Sequence, residues 1–279
     1  MRTYSYSFSA SGHEKLFSMF RITLTILFLC YSGFSYSQEK TVYNSWSSNS
    51  ATLMPAGKWE SGIFQPFRYG LNSKMEIRSN AIIFPLMPNV GLKLSHGKLL
   101  GFNLASEHDL SYPNLFLKFV SAKGVGGLIS PQFSFPFILS VTNSLIISKP
   151  VGPSALLAAD LGLAFAIRGG KPDYAATIDL PLLYPRMAHY YKGATIKAGV
   201  TYKGKIAKKL FFEENVRIFL ITRSSDNLFV ENYGTILWAT HGSLRFKVGY
   251  VLSWGGYPFG NRTQMWPVVD ILFGSGTKK

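Results

Sequence analysis

Residues 244–254 alternate without a break, with Leu244, Phe246, Val248, Tyr250, Leu252 and Trp254 on one face. Arg245, Lys247, Gly249, Val251 and Ser253 fall on the other. Side chains of a strand point to opposite faces with period two, so one wall is apolar and the other small or charged. Residues 157–168 repeat the pattern, with Leu157, Leu161, Leu163, Phe165 and Ile167 against Asp160, Gly162, Ala164, Ala166 and Arg168. Residues 194–203 do so again, with Ala194, Ile196, Ala198, Val200 and Tyr202 against Thr195, Lys197, Gly199, Thr201 and Lys203. A strand crossing a bilayer at its usual tilt needs about 9–11 residues, whereas soluble strands typically have about 5–6. These runs have the longer length. They predict an all-β fold: a transmembrane antiparallel up-and-down β-barrel, apolar outside and polar within.

The chain begins as exported chains do. The apolar run Ile22-Thr23-Leu24-Thr25-Ile26-Leu27-Phe28-Leu29-Cys30 follows Arg21 and is too short to span a bilayer. Ser35-Tyr36-Ser37 then offers a small-x-small cleavage site ahead of Gln38, which reads residues 1–37 as a signal peptide. Two starts fit: Met1 with a long polar leader, or Met19 with the compact Met19-Phe20-Arg21. Cys30 follows Leu29, where a lipid-attachment site needs a small residue, so the mature chain is expected to carry no thiol. Residues 38–58, rich in Ser and Asn, read as an exposed lead-in, 59–273 as the barrel and 274–279 as a short tail. Phe273 is the near-terminal aromatic that the outer-membrane assembly machinery would read.

Ten further strands are expected at 59–69, 74–84, 89–96, 99–106, 114–120, 131–142, 174–183, 210–221, 228–240 and 265–273. That makes thirteen with the three above. Bacterial single-chain barrels use even numbers, so the expectation is twelve. Pro66, Pro136, Pro181 and Pro267 fall inside these segments, where a missing N–H predicts bulges. Longer connections are expected at 149–153 and 185–192, and turns at 71–73, 224–227 and 241–242.

Leu53-Met54-Pro55-Ala56-Gly57-Lys58-Trp59-Glu60 leads into Gly62-Ile63-Phe64-Gln65-Pro66-Phe67-Arg68-Tyr69-Gly70-Leu71. With the Ser-Gln signal junction, this stretch resembles uncharacterised outer-membrane barrels of Bacteroidota-type bacteria. The resemblance covers about the first third of the mature chain. It implies location in the outer membrane of a Gram-negative cell, among lipid and lipopolysaccharide, and transfers no catalytic residue.

Signal removal takes away Arg2, Lys15 and Arg21 with Glu14, so 29 basic and 14 acidic side chains become 26 and 13, a formal +13. Export and the absence of any recognised nucleic-acid motif exclude DNA or RNA as the partner of that charge. Rim cations can meet lipid phosphates, and cations on an inner wall can favour anionic solutes. By strand parity the inward cations are Arg68, Arg78, Lys93, Lys118, Arg168, Lys197, Lys203, Arg217, Arg245 and Lys247. The inward acids are Glu60, Glu76, Glu107, Asp160, Asp179, Glu213 and Asp270. Trp59, Tyr202, Tyr250 and Trp254 are expected near the membrane interfaces.

Chemistry is sparse. Ser106-Glu107-His108-Asp109 contains the residue types of acyl hydrolysis, with Ser106 and His108 on one face, but a triad is defined by geometry. It reads as a polar strand end entering a loop. His189-Tyr190-Tyr191-Lys192 reads as an interfacial loop, and Lys123-Gly124-Val125-Gly126-Gly127 lacks the spacing of a phosphate loop. No metal-ligand spacing occurs, and no cofactor is expected. Three functions are compatible: a porin-like transport channel for small anionic or amphipathic solutes, a non-conducting scaffold, or a lipid-modifying acyl hydrolase. The hydrolase would need Ser106, His108 or His189 to converge at the lipid-facing rim. Channel and scaffold are the two main readings, since the inward charges either line a pore or pair with the acids and close it, a closed lumen being slightly favoured; no enzymatic activity is expected.

Overall fold

The computed structural model describes residues 49–121, 129–152, 154–224, 227–240, 243–258 and 260–275. The expected signal, the glycine-rich connection at 123–127, the turn at 241–242 and most of the tail lie outside them. The strands are β1 (Trp59–Gly62), β2 (Phe67–Gly70), β3 (Met75–Ser79), β4 (Asn89–Leu99), β5 (Phe102–Ser111) and β6 (Ile138–Val151). They continue with β7 (Ala155–Arg168), β8 (Ala194–Ala207), β9 (Leu210–Ile221), β10 (Leu228–Ala239), β11 (Leu244–Tyr257) and β12 (Gly260–Gly274). Each pairs antiparallel with the next in sequence, and β12 returns to β1, closing a twelve-stranded barrel.

The alternation decides which face is which. In β11, Val248 is 51% exposed while the neighbouring Lys247 is 7% exposed. Leu161 and Val200 are likewise exposed, whereas Lys93, Lys203 and Arg245 are buried. Apolar side chains cover the outside and charged ones fill the interior, the reverse of a soluble barrel.

The number twelve arises differently from the expectation. Residues 59–69 split into β1 and β2 because the turn between them is held by Asp270 of β12. Its carboxylate accepts from the backbone N–H groups of Ile63 (2.7 Å), Phe64 (3.2 Å) and Gln65 (3.0 Å). Two expected strands are not strands. Residues 114–121 form α1 (Asn114–Ser121), burying Leu117 and Val120 at helical spacing, which puts Lys118 on an exposed surface instead of an inner wall. Residues 174–183 form a 3-10 turn (Tyr174–Ala176) and a loop that enters α2 (Tyr184–Tyr191), with Pro185 in its first turn. Conversely, the expected loop at 149–151 is the end of β6, paired with β7.

Prolines mark connections more than bulges. Of the four expected in strands, Pro66, Pro136 and Pro181 lie between elements and Pro267 stays in a strand, opposite Tyr250; Pro150 is also in a strand, in β6 opposite Leu156. The register shifts occur elsewhere, at Ser95/Gly97 in β4 and Lys205/Ala207 in β8. The long connections, 80–88, 112–137 and 169–193, emerge at one end of the barrel. The tight turns β2–β3, β4–β5, β6–β7 and β8–β9 share the other end with both termini of the barrel.

Of the described part of the lead-in, residues 55–57 are exposed as expected, but residues 50–54 are buried or half-buried. Ser50, Ala51 and Met54 are buried inside the barrel. The Met54 N–H donates to Glu76 of β3 (2.7 Å), and Ala51 N–H to the Ser148 hydroxyl of β6 (3.2 Å). Lys93 of β4 donates to the Ser50 carbonyl (2.5 Å), and the Asn49 amide to Glu213 of β9 (2.7 Å). These strands lie on both sides of the lumen, so the segment crosses it. The physical reason is satisfaction: a polar interior supplies partners for an extended backbone that would otherwise lack them. Ala56 forms a parallel bridge to Gly70, where a Cβ would collide with the carbonyls of Met54 and Pro55.

Candidate functional site

The inner wall carries most of the charge, and most of it is paired. Arg68 lies between Glu60 (2.7 Å) and Glu76 (2.6 Å), all three buried. Arg78 and Lys93 converge on Glu107, the latter at 3.2 Å. Arg217 meets Asp160 at 3.1 Å, and Arg262 meets Asp179 at 3.0 Å. Asp179 thus belongs to the 169–183 connection and not to a strand. Lys203, Arg245 and Lys247 are buried on inward positions of β8 and β11. Lys247 stands over the Tyr233 ring at 5.2 Å. Arg168, at the mouth end of β7, is exposed and donates to the Tyr191 carbonyl (3.1 Å).

Towards the long-loop end the lumen retains a cavity of about 350 Å³. Four cations, Arg78, Arg186, Lys197 and Arg217, line it with one acid, Asp109. Three of these cations have carboxylate partners: Glu107, Glu231 and Asp160 respectively. Lys197 has no ion pair among the described residues; its stem lies over Gly162, where no Cβ obstructs it. Lys203, Arg245 and Lys247 lie towards the other end of the barrel, apart from Lys197.

His189 departs from the expected interfacial loop. It belongs to α2, which packs against β6 to β9 from inside. Met187, Tyr190 and Tyr191 of this helix join Leu117 and Val120 of α1 in one buried cluster with Ile138. The His189 Nε2 bonds the Ser140 hydroxyl at 2.7 Å. Burial, reinforced by Lys197, pushes the imidazole down to a pKa of about 3, so it is neutral at physiological pH.

A second site lies on the outer wall. Ser106 and His108 are not at a polar strand end; both lie within β5, paired on either side to β4 and β6. Register places Asn143 of β6 directly opposite His108. The His108 Nδ1 is 2.7 Å from Asn143 Oδ1, and its Nε2 is 3.0 Å from Ser106 Oγ. His96, the extra residue at the β4 register shift, brings its Nε2 to 2.8 Å from the same hydroxyl. His96 is adjacent to Ser95, a pair whose side chains point to opposite faces of a strand, so sequence offers it no partner; the sequence reading does not single out Asn143. A signal for Asn143 existed: it is the single polar residue in the outward stripe Leu139, Val141, Asn143, Leu145, Ile147.

Other polar groups also interrupt the outer face. The Asn232 amide donates to Glu214 (2.5 Å), and the Tyr250 hydroxyl to Asn232 Oδ1 (3.0 Å). Tyr250 is thus halfway along the 14-residue β11 instead of at an interface, held there by partners on β9 and β10. Tyr202 lies within β8 against Phe212, with ring centroids 5.4 Å apart. Trp59 opens β1, and Trp254 lies near the long-loop end of β11.

Comparison with protein-family models finds no match, and comparison with curated proteins finds none either. Among solved structures, the CymD monoaromatic hydrocarbon channel aligns with a TM-score of 0.39 at 10% sequence identity, covering 77% of this chain and 72% of that chain. A likeness of that degree assigns neither solute nor activity.

Proposed function

We propose that this barrel spans the outer membrane and is a gated conduit for small anionic or amphipathic solutes, admitted at the long-loop end. Short turns on the side of the termini and long loops opposite are the usual orientation of such barrels, periplasmic and extracellular respectively. The exposed apolar stripes then face acyl chains, with lipopolysaccharide around the long-loop rim. The observation that carries the functional reading is the cavity at that mouth, where Lys197 alone of four lining cations has no ion pair among the described residues. Beneath it, residues 49–54 close the path towards the termini through bonds to Glu76, Lys93 and Ser148. Lys197, the one lining cation without an ion pair among the described residues, would hold an anion at the mouth, and a removable backbone segment supplies the gate.

Single-channel recording of the refolded protein in a planar bilayer tests this. The intact chain is expected to be silent or to flicker briefly. Deleting residues 49–56 should produce discrete steps with a reversal potential favouring anions, and Lys197→Glu in that background should weaken or reverse the preference. Gly70→Ala, which crowds the Met54 and Pro55 carbonyls, should raise the opening frequency without any deletion. Silence from a folded, inserted deletion variant would reject the conduit and leave the non-conducting scaffold.

A further inference from the structure

The outer wall across β4, β5 and β6 is largely Val, Leu and Ile, interrupted by His96, Ser106, His108 and Asn143, with Lys149 beyond them at the short-turn end of β6. Polar side chains facing lipid are costly, and within membranes they are characteristically functional. Here the four form one hydrogen-bonded chain, His96 to Ser106 to His108 to Asn143. We propose that Ser106, His108 and Asn143 form a hydrolytic site for acyl esters of lipids in the surrounding bilayer. It is independent of the conduit, because it lies on the opposite side of the wall from the lumen.

The bonds assign the roles. Asn143 Oδ1 can only accept, so His108 carries its proton on Nδ1 and leaves Nε2 as the acceptor. Ser106 Oγ, 3.0 Å away, donates to that nitrogen. The same oxygen then accepts from His96 Nε2–H at 2.8 Å, and every hydrogen bond in the chain has one donor and one acceptor. Nucleophile, base and orienting group are in the order that acyl transfer requires. Ser106 is 9% exposed at the floor of this cluster, while His96, His108 and Asn143 are exposed beside it.

The chemistry balances with water as the co-reactant. Ser106 Oγ attacks the ester carbonyl carbon as His108 Nε2 takes its proton, forming the C–O bond of a tetrahedral intermediate. His96 Nε2–H is placed to donate to charge developing beside Oγ. Collapse breaks the bond to the alcohol oxygen, and His108 returns the proton to that leaving group. Water, deprotonated by His108, then hydrolyses the acyl-serine, releasing a fatty acid and regenerating Ser106.

Position favours a lipid substrate. Asn143 lies in the half of β6 nearer the long loops, and β6 has 14 residues where a crossing needs about 9–11. Asn143 is the sixth residue of β6 and Ser106 the fifth of the ten of β5, so the site faces acyl chains beside the middle of the wall. No soluble substrate would seek an outward face walled by Leu and Val.

The test uses the full mature chain in vesicles of phosphatidylethanolamine, and separately with lipid A added, reading released fatty acid by mass spectrometry. Release from one vesicle type identifies the lipid class. Ser106→Ala and His108→Gln should lose about 10²–10⁴-fold or more of the rate, with heat-dependent gel migration confirming that each variant is folded. Asn143→Ala should lower kcat more than it raises KM, and Asn143→Asp should restore it, as befits a positioning residue. A fluorophosphonate probe should label the peptide containing Ser106 in the intact protein and not in His108→Gln. Absence of both release and labelling from folded protein would overturn the proposal. So would fatty-acid release that persists unchanged in Ser106→Ala.

Discussion

Arg68→Ala should destabilise the barrel by about 3–5 kcal/mol, because it leaves two buried carboxylates without their shared cation. Arg68 is fully buried between Glu60 and Glu76, and its side chain ties β1, β2 and β3 together. The guanidinium serves both acids at once: Nη1 bonds Glu60 at 2.7 Å, while Nε and Nη2 bond Glu76 at 2.6 and 2.8 Å. Arg68→Lys should therefore recover only part of the loss, since an ammonium lacks the planar fork that spans two carboxylates. Glu76 also accepts from the Met54 N–H. Losing Arg68 should consequently loosen the lumen-crossing segment as well as the wall. The measurement is urea-dependent unfolding in lipid vesicles, followed by tryptophan fluorescence. Wild-type stability in Arg68→Ala would mean that β1 to β3 are held by backbone pairing alone.

Val200→Arg should be the other severe change, and its size depends on depth. Val200 is 52% exposed on the outward face, midway along the 14-residue β8. An arginine facing lipid near the midplane costs about 2–4 kcal/mol, falling to about 0–1 kcal/mol near an interface. Val248→Arg, outward on β11 and 51% exposed, should cost a comparable amount. Ile206→Arg, equally exposed but at the end of β8, should cost far less. In a barrel surrounded by water, all three would be surface substitutions within about 0.5 kcal/mol of neutral. Equal tolerance of the three arginines would refute membrane embedding. A gradient from Val200 to Ile206 would support it without reference to any solute.

Strand periodicity was legible where strands were long. The alternation at 157–168, 194–203 and 244–254 identifies β7, β8 and β11, and the inward placement of Lys203, Arg245 and Lys247 follows from parity alone. It failed on short apolar stretches. Residues 114–121 bury Leu117 and Val120, a spacing that belongs to a helix, yet so short a run also passes for a strand. Segment 59–69 reads as one strand because nothing local reveals that Asp270, some two hundred residues away, folds its centre into a turn.

Sequence by itself determined that this chain alternates at strand period over membrane-spanning lengths, and therefore which side chains share a face. That follows because a strand's side-chain direction is set by backbone geometry, residue by residue. Only the tertiary structure decided which faces meet. Antiparallel register set Asn143 opposite His108, and one extra residue in β4 turned His96 towards Ser106. Closure of the barrel brought Arg68, Glu60 and Glu76 together and enclosed residues 49–54 among partners drawn from four strands. Such contacts depend on registers and long-range closure, which no local periodicity encodes.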